Sequence, residues 1–77
     1  MENGFEEAVM TNLKRIREAQ GLTQAGLAER SGVNLRMIQN YEQGFKDINK
    51  ACAITVFKLA KALQCWTEEL LELNERD

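Results

Sequence analysis

The chain has 77 residues, of which 44% are hydrophobic and 29% are charged, and its formal net charge is −2. This length allows one small domain with an economical core, and this composition is that of a folded globular chain rather than a disordered one. No apolar run approaches the ~18 residues that a membrane span needs, and no signal-peptide pattern follows Met1, so we expect a cytoplasmic protein without membrane contact.

Residue types that carry metal or catalytic chemistry are scarce. The chain has no histidine, and Cys52 and Cys65 lack the close pairing from which structural zinc sites are built. Without histidine a serine or cysteine nucleophile lacks its commonest base, and no glycine-rich phosphate loop is present. We therefore expect no enzyme activity, no metal, no cofactor and no small-molecule ligand. The two thiols are expected to be core or half-buried residues.

The first predicted helix covers residues 5–19 and follows a frayed end at residues 1–4. Its apolar stripe has spacings of four and three and is formed by Val9, Leu13 and Ile16. Gln20 and Gly21 end this helix, and Leu22 is expected to contact the core beyond the cap.

Two short helices separated by a tight turn are predicted within Thr23–Gly44, which reads TQAGLAERSGVNLRMIQNYEQG. Thr23 and Asn34 are predicted N-caps, because their side-chain oxygens can accept a hydrogen bond from a backbone N–H of the first turn. Gly32 and Gly44 are predicted to end the two helices, since glycine enters the left-handed conformation without steric penalty. The pattern is that of a helix-turn-helix.

A loop at residues 45–49 precedes the fourth predicted helix, which ends at about Leu63 or Gln64. Either Asp47 or Asn49 is expected to cap it, and the sequence does not choose between them. Its apolar residues are interpreted as core: Ile54, Phe57, Leu59, Ala60 and Leu63.

The last predicted helix is short and begins after Thr67, which is interpreted as its N-cap. Two acidic residues in its first turn suit the positive end of the helix dipole. Trp66 is expected to pack where this helix begins, and its apolar residues are Leu70, Leu71 and Leu73.

These motifs resemble the helix-turn-helix of the Cro and lambda-repressor type of bacterial regulators. The residues that match the pattern of that family are Gln24, Leu27, Ala28, Gly32, Ile38, Glu42 and Gly44. The resemblance extends from about Leu13 to Leu73. It implies an all-α, compact five-helix lambda-repressor-like domain, in which residues 1–77 form one domain with its core at about 5–73. Gly26 departs from the family, which usually has Glu there, and a glycine inside a helix costs roughly 0.5–1 kcal/mol.

In a helix-turn-helix the second helix lies in the major groove of DNA, and the first helix crosses the backbone. The resemblance therefore assigns base readout to the outward side of the second helix, at Asn34, Leu35, Arg36, Met37, Gln39 and Asn40. Arginine can bond guanine through two hydrogen bonds, glutamine or asparagine suits adenine, and Leu35 or Met37 suits a thymine methyl group. The alternative is a polar face exposed only to water. The absence of acidic residues between Leu35 and Tyr41 favours recognition.

A second group of residues is expected at the DNA backbone, where contacts set the register without reading sequence. Its members are Gln24, Lys14, Arg15, Arg17, Lys46 and Lys50. The resemblance also implies a structural ion pair between Arg17 and Glu42, and the alternative is an exposed arginine worth ~0–1 kcal/mol.

The distribution of charge reconciles a net charge of −2 with DNA binding. Nine of the ten basic residues lie between Met10 and Cys65 together with four acids, whereas the two ends hold eight acids and one base. Local charge, rather than the total, steers a polyanion to a surface.

The sequence thus predicts a transcriptional regulator, most simply a repressor that occludes a promoter by binding a palindromic operator. Its expected partners are double-stranded DNA and a second copy of the chain. The dimer interface is expected at Trp66, Leu70, Leu71 and Leu73, although these residues could instead complete the core of one chain. The competing function is a protein-interaction module, such as the antitoxin component of a toxin–antitoxin pair.

Overall fold

In the computed structural model, which describes residues 10–73, five α-helices and one short 3-10 helix follow one another along the chain. They are α1 (Asn12–Ala19), α2 (Gln24–Ser31), α3 (Leu35–Gln43), the 3-10 helix (Ile48–Lys50), α4 (Ala53–Leu63) and α5 (Thr67–Leu70). The predicted all-α, five-helix fold is confirmed. None of the helices in this part of the chain has the length and apolar character that crossing a membrane requires.

Every α-helix contributes a side chain to one core. The largest fully buried side chains are Leu13, Leu27, Ile38, Leu59, Leu63 and Leu70. The helix α2 packs against α3 and α4, while α5 packs against α4 and α1. Burying a leucine or isoleucine side chain contributes about 1.5–3 kcal/mol, so these six residues account for much of what holds the helices together.

The helix α1 begins at Asn12, whereas the sequence predicted a helix through residues 10 and 11. The hydroxyl of Thr11 accepts a hydrogen bond from the backbone N–H of Lys14 at 3.2 Å, which makes Thr11 the N-cap and Asn12 the first helical residue. Met10 and Thr11 are not helical, so the prediction of a helix that starts at residue 5 is wrong for these two residues. The remaining part of that prediction, with Val9 and the frayed end, lies outside the described residues.

The caps of α2 and α3 were predicted correctly. The Thr23 and Asn34 side chains accept hydrogen bonds from first-turn N–H groups at 2.9 and 2.7 Å. Gly32 and Gly44 lie at the other ends with φ of 78° and 85°, in the left-handed region that glycine enters most easily. This local chemistry fixes where the two helices of the motif begin and end.

The apolar face of α4 differs from the prediction. The buried residues are Val56, Leu59, Ala60 and Leu63, which recur at the spacing of one helix face. Ile54 and Phe57 lie on the opposite side and are 54% and 52% exposed, so their assignment to the core is wrong. The buried face of α4 could not be identified from the sequence, because a helix that is apolar on more than one side has no unique inward face.

The predicted caps of α4 and α5 are also wrong. Asp47 accepts a hydrogen bond from the backbone N–H of Asn49 at 2.9 Å and so caps the 3-10 helix. Cys52 stands at the N-cap of α4 without a side-chain hydrogen bond. Trp66, not Thr67, is the N-cap of α5, and it too makes no capping bond.

The C-terminal part of the described chain is tied back to α1 and to the 3-10 helix. The backbone N–H of Asn12 donates to Glu72 Oε2 at 2.6 Å, and Asn12 Nδ2 donates to the Leu71 carbonyl at 2.7 Å. Asn49 pairs with both backbone groups of Glu72, at 2.8 and 2.9 Å. Leu71 is extended, so α5 stops at Leu70 and does not reach Leu73.

Three helices end with the same pair of backbone hydrogen bonds around a residue of positive φ. This residue is Gly21 (φ 73°) after α1, Gly44 after α3 and Gln64 (φ 55°) after α4. Among the described residues, Gln64 is the only non-glycine with positive φ. A left-handed conformation costs an L-residue roughly 1–2 kcal/mol.

We predict that Gln64→Gly stabilises the domain. It removes the left-handed strain, while the extra freedom of glycine in the unfolded chain offsets about 0.4–1 kcal/mol of that gain, leaving a net increase of about 0.5–1 kcal/mol. Chemical unfolding measures this change in the free energy of unfolding. Gly21→Ala is the matched control, because its Cβ meets no atom within 4 Å and only backbone strain should destabilise the variant. Equal stability of both variants and the parent would contradict this account.

Candidate nucleic-acid interface

The predicted recognition surface is the outward side of α3. Ile38, Tyr41 and Glu42 are buried, and they anchor the inner side of the helix. Of the residues predicted for base readout, Asn34, Leu35 and Arg36 are exposed, Gln39 and Asn40 are half-buried, and Met37 is half-buried against the core. The structure thus brings all six residues predicted for base readout to one short helix and its cap.

Asn34 has a structural task besides its predicted one. Its Oδ1 accepts the capping hydrogen bond from the Arg36 backbone N–H at 2.7 Å. A carboxamide that reads adenine uses its oxygen and its nitrogen together. While Asn34 caps α3, its oxygen is engaged, which conflicts with two-bond readout of adenine by this residue.

A buried ion pair fixes the far end of α3 against α1. Arg17 Nε donates to Glu42 Oε2 at 2.7 Å, and Nη2 donates to Oε1 at 3.0 Å. Arg17 Nη1 donates to the Leu22 carbonyl at 2.6 Å, and Gln24 Nε2 donates to Glu42 Oε1 at 2.9 Å. This hydrogen-bonded group, hereafter the Arg17–Glu42 network, joins α1, the turn after it, α2 and α3.

The network keeps both charges satisfied although Arg17 and Glu42 are only 8% and 4% exposed. The hydrogen bonds to Glu42 hold the pKa of Arg17 above its ordinary value and outweigh burial, which lowers it. A raised arginine pKa means that its stabilising contribution is complete at neutral pH and is lost only at extreme alkaline pH. The guanidinium is therefore a permanent structural cation.

The residues predicted for the DNA backbone occupy different environments. Arg17 is buried and engaged in the network as the predicted partner of Glu42, and contact of its remaining edge with phosphate stays a prediction. Gln24 is half-buried and hydrogen-bonds Glu42, which orients it at the first turn of α2. The remaining candidates stay at the surface: Lys14 is half-buried, and Arg15, Lys46 and Lys50 are exposed.

Two of these basic residues make hydrogen bonds within the chain, one through its backbone and one through its side chain. The Lys46 backbone N–H donates to the Asn40 carbonyl at 3.2 Å, which sets the turn that follows α3. The Arg15 guanidinium donates to the Asn12 side chain within α1. A cleft of about 210 Å³ has Lys46 on one side and Thr11, the cap of α1, on the other. The start of α1 and the turn after α3 are therefore neighbours.

The residues predicted for dimerisation differ in how far they are buried. Leu70 is fully buried in the core of a single chain, so its assignment to an interface is wrong. Leu71 is half-buried against the same core. Trp66 and Leu73 are 71% and 65% exposed, which contradicts the expectation that Trp66 packs at the start of α5.

The two cysteines differ from each other. Cys65 is half-buried, and burial together with the nearby charge of Glu69 raises the pKa of its thiol. Cys52 is exposed, so the expectation of a buried or half-buried thiol is wrong there. Between residues 10 and 73, His, Cys, Asp and Glu form no group of three that could hold a metal ion.

Comparison with known protein families agrees with this geometry. A family model described as Helix-turn-helix matches residues 13–70, a span that reaches from α1 to the end of α5. The chain belongs to the helix-turn-helix family. The type is that of Cro and lambda repressor, and the protein is accordingly a DNA-binding regulator whose motif is formed by α2 and α3. In comparisons with curated proteins and with solved structures, the chain matches none.

Sequence reasoning missed the residues that tie the C-terminal part of the described chain to α1 and to the 3-10 helix. Asn12, Asn49 and Glu72 act across 60 and 23 residues of chain, and no local pattern marks such pairs. Thr11 did carry a usable signal, because its hydroxyl stands three residues before Lys14 in the spacing of an N-cap.

We predict that Glu42→Ala destabilises the domain by about 3 kcal/mol, because it leaves the buried Arg17 guanidinium without its partner. Urea unfolding followed by circular dichroism measures the change. Glu18→Ala is the control: this acid lies 3.8 Å from Arg17 at the surface, and its loss should change stability by less than about 0.5 kcal/mol. Similar losses of stability in the two variants would show that the buried pair contributes no more to stability than the contact at the surface.

Proposed function

We propose that this protein is a sequence-specific transcriptional regulator that binds duplex DNA as a homodimer with α3 in the major groove. Its simplest action is repression, in which an occupied palindromic operator blocks a promoter. The observation that carries the proposal is the outward side of α3, where hydrogen-bonding Arg36, Gln39 and Asn40 stand without an acid between Leu35 and Tyr41. An acidic residue there would face the phosphates and repel them.

Arg36 is the proposed main reader of sequence. It is exposed in the first turn of α3, the part of a recognition helix that meets base edges, and its guanidinium can bond guanine O6 and N7 together. Leu35, 38% exposed, lies beside it and offers apolar contact to a thymine methyl group. Gln39 and Asn40, one turn further along, suit adenine, and Met37 is a second candidate for thymine.

Phosphate contacts are proposed for the cations around the motif, where they set register without reading bases. Lys46 and Lys50 follow α3 in the chain, whereas Lys14 and Arg15 lie on α1. Gln24 is proposed for the same backbone from the start of α2, where free backbone N–H groups also favour phosphate.

The size of the domain suits binding by two copies. Its described part extends 36 × 27 × 21 Å. Recognition helices of a dimer must enter successive major grooves on one side of the duplex, roughly 34–36 Å apart. Two chains placed side by side reach this separation without a linker.

We predict that Arg36→Ala weakens binding to the preferred duplex by about 1–3 kcal/mol and relaxes the preference at one base pair. Binding is measured by fluorescence anisotropy on the tightest-binding duplex from a set of varied sequences and on its single-base variants. Lys46→Ala is the matched control, because losing a phosphate contact should weaken all duplexes alike. If Arg36→Ala also weakened every duplex equally, its role would be that of a phosphate contact.

We also predict a steep dependence of binding on salt. A chain that neutralises several phosphates releases counterions, so the logarithm of its affinity falls linearly with the logarithm of salt concentration, and Lys46→Ala should reduce the slope by about 1. A flat response of the parent chain on mixed-sequence duplex would instead favour the protein-interaction module.

A further inference from the structure

The outward side of α4 is both apolar and basic. Ile54, Phe57, Lys58 and Lys61 recur at the spacing of a single helix face and are all exposed. Lys61 Nζ lies 5.9 Å from the centroid of the Phe57 ring, within the range of a cation–π interaction. Since the core uses the opposite side of α4, this face has no partner within the described chain.

The same face borders a groove of about 540 Å³ between the end of α2 and α4. Its cations are Arg30, Lys58 and Lys61, its aromatic residue is Phe57, and it contains no acidic residue. We call these four residues, with Gln64 at one end, the basic groove. A groove of this chemistry accepts an aromatic or apolar side chain accompanied by carboxylates.

Directly beyond Gln64 the surface has the opposite charge. Gln64 also borders a cleft formed with Cys65, Trp66 and Glu69, so the two surfaces adjoin. Trp66 is largely exposed and occupies an N-cap position where its indole forms no capping bond. A serine there would stabilise α5, so Trp66 has no structural role within residues 10–73. We call Trp66, Glu68 and Glu69 the acidic edge.

We propose that the acidic edge of one chain docks in the basic groove of a second copy, and that this reciprocal contact forms the homodimer. The proposal rests on the dimeric DNA binding proposed above and names the surface responsible. A two-fold axis near Gln64 makes every contact occur twice, since an isologous interface pairs residue i with j and j with i. Trp66 is the anchor at its centre, and Lys58, Lys61 and Glu69 provide complementary charge around it.

Charge selects a second copy of this chain over DNA as the occupant of the basic groove. The adjoining carboxylates of Glu68 and Glu69 would repel a phosphate backbone laid along the groove. The same carboxylates attract the groove of another copy. One protein surface therefore holds both halves of a self-complementary contact.

Sedimentation velocity of the full chain, from micromolar to millimolar concentration, tests the proposal together with intrinsic fluorescence. Trp66 is the only tryptophan, so it reports on the interface. We expect a monomer–dimer equilibrium in which tryptophan emission shifts to shorter wavelength and acrylamide quenching decreases as dimer forms. Trp66→Ser should weaken dimerisation at least about tenfold. Because serine is a good N-cap, the variant should keep its helical circular dichroism.

A charge exchange separates specific contact from general loss of structure. Lys61→Glu and Glu69→Lys should each weaken dimerisation about tenfold, and the double variant should regain at least half of that loss on a logarithmic scale. Glu18→Lys has the same change of charge as Glu69→Lys but lies on α1, so it should change the dimerisation constant by less than about twofold.

Two results would overturn the proposal: a chain that remains monomeric at millimolar concentration, or a dimer whose constant is unchanged by Trp66→Ser. In the second case the proposed function survives with a different interface. Conversely, a dimer that responds as expected but binds duplex DNA without salt dependence would remove the proposed function and leave this interface in place.

Discussion

The buried ion pair between Arg17 and Glu42 is the contact on which the recognition surface depends. Two charges taken out of water are tolerated only when hydrogen bonds replace their hydration, and here Gln24 and the Leu22 carbonyl complete that replacement. Because the partners come from α1, the turn after it, α2 and α3, the bonds form together only when these elements are correctly placed. The network therefore specifies the position of α3 more than it adds to stability. A helix that reads base edges must be positioned accurately, since a displacement of about 1 Å breaks directional hydrogen bonds.

The two sides of the nine-residue helix α3 are divided between the core and the proposed recognition surface. Ile38 and Tyr41 hold its inner side to the core, while Arg36 and Gln39 remain on the side that the core does not use. Capping by Asn34 and by Gly44 keeps the helix short, so its first turn stands at the protein surface. Charge is less sharply divided: Glu68 and Glu69 lie on α5, whereas Glu72 is bonded to the start of α1 and borders the same cleft as Lys46.

The helix-turn-helix could be predicted because its caps act on nearby backbone groups. Features that depend on contacts between distant parts of the chain could not be predicted. Thr23, Asn34, Gly32 and Gly44 act on backbone groups within one turn, so their roles could be inferred from neighbouring residues. The inward face of α4 could not, because Ile54 and Phe57 are as apolar as Val56 and only packing against α2 and α5 selects among them. Trp66 was predicted both to pack where α5 begins and to lie in the dimer interface; its exposure contradicts the first prediction and is compatible with the second. The bonds of Glu72 to Asn12 and Asn49 depend on how the chain returns to its start, which no short pattern encodes.

Sequencing the duplexes that the chain retains from a random pool tests the central claim most directly, because it registers recognition, symmetry and spacing at once. The comparison is a variant with Leu35, Arg36 and Gln39 replaced by alanine, which changes the outward side of α3 and leaves Ile38, Tyr41 and Glu42 in place. The account predicts that the parent enriches a two-fold symmetric sequence with half-sites roughly 34–36 Å apart and that the variant loses this preference. Retained sequences that match the input pool, or an enriched sequence that the variant still selects, would contradict it.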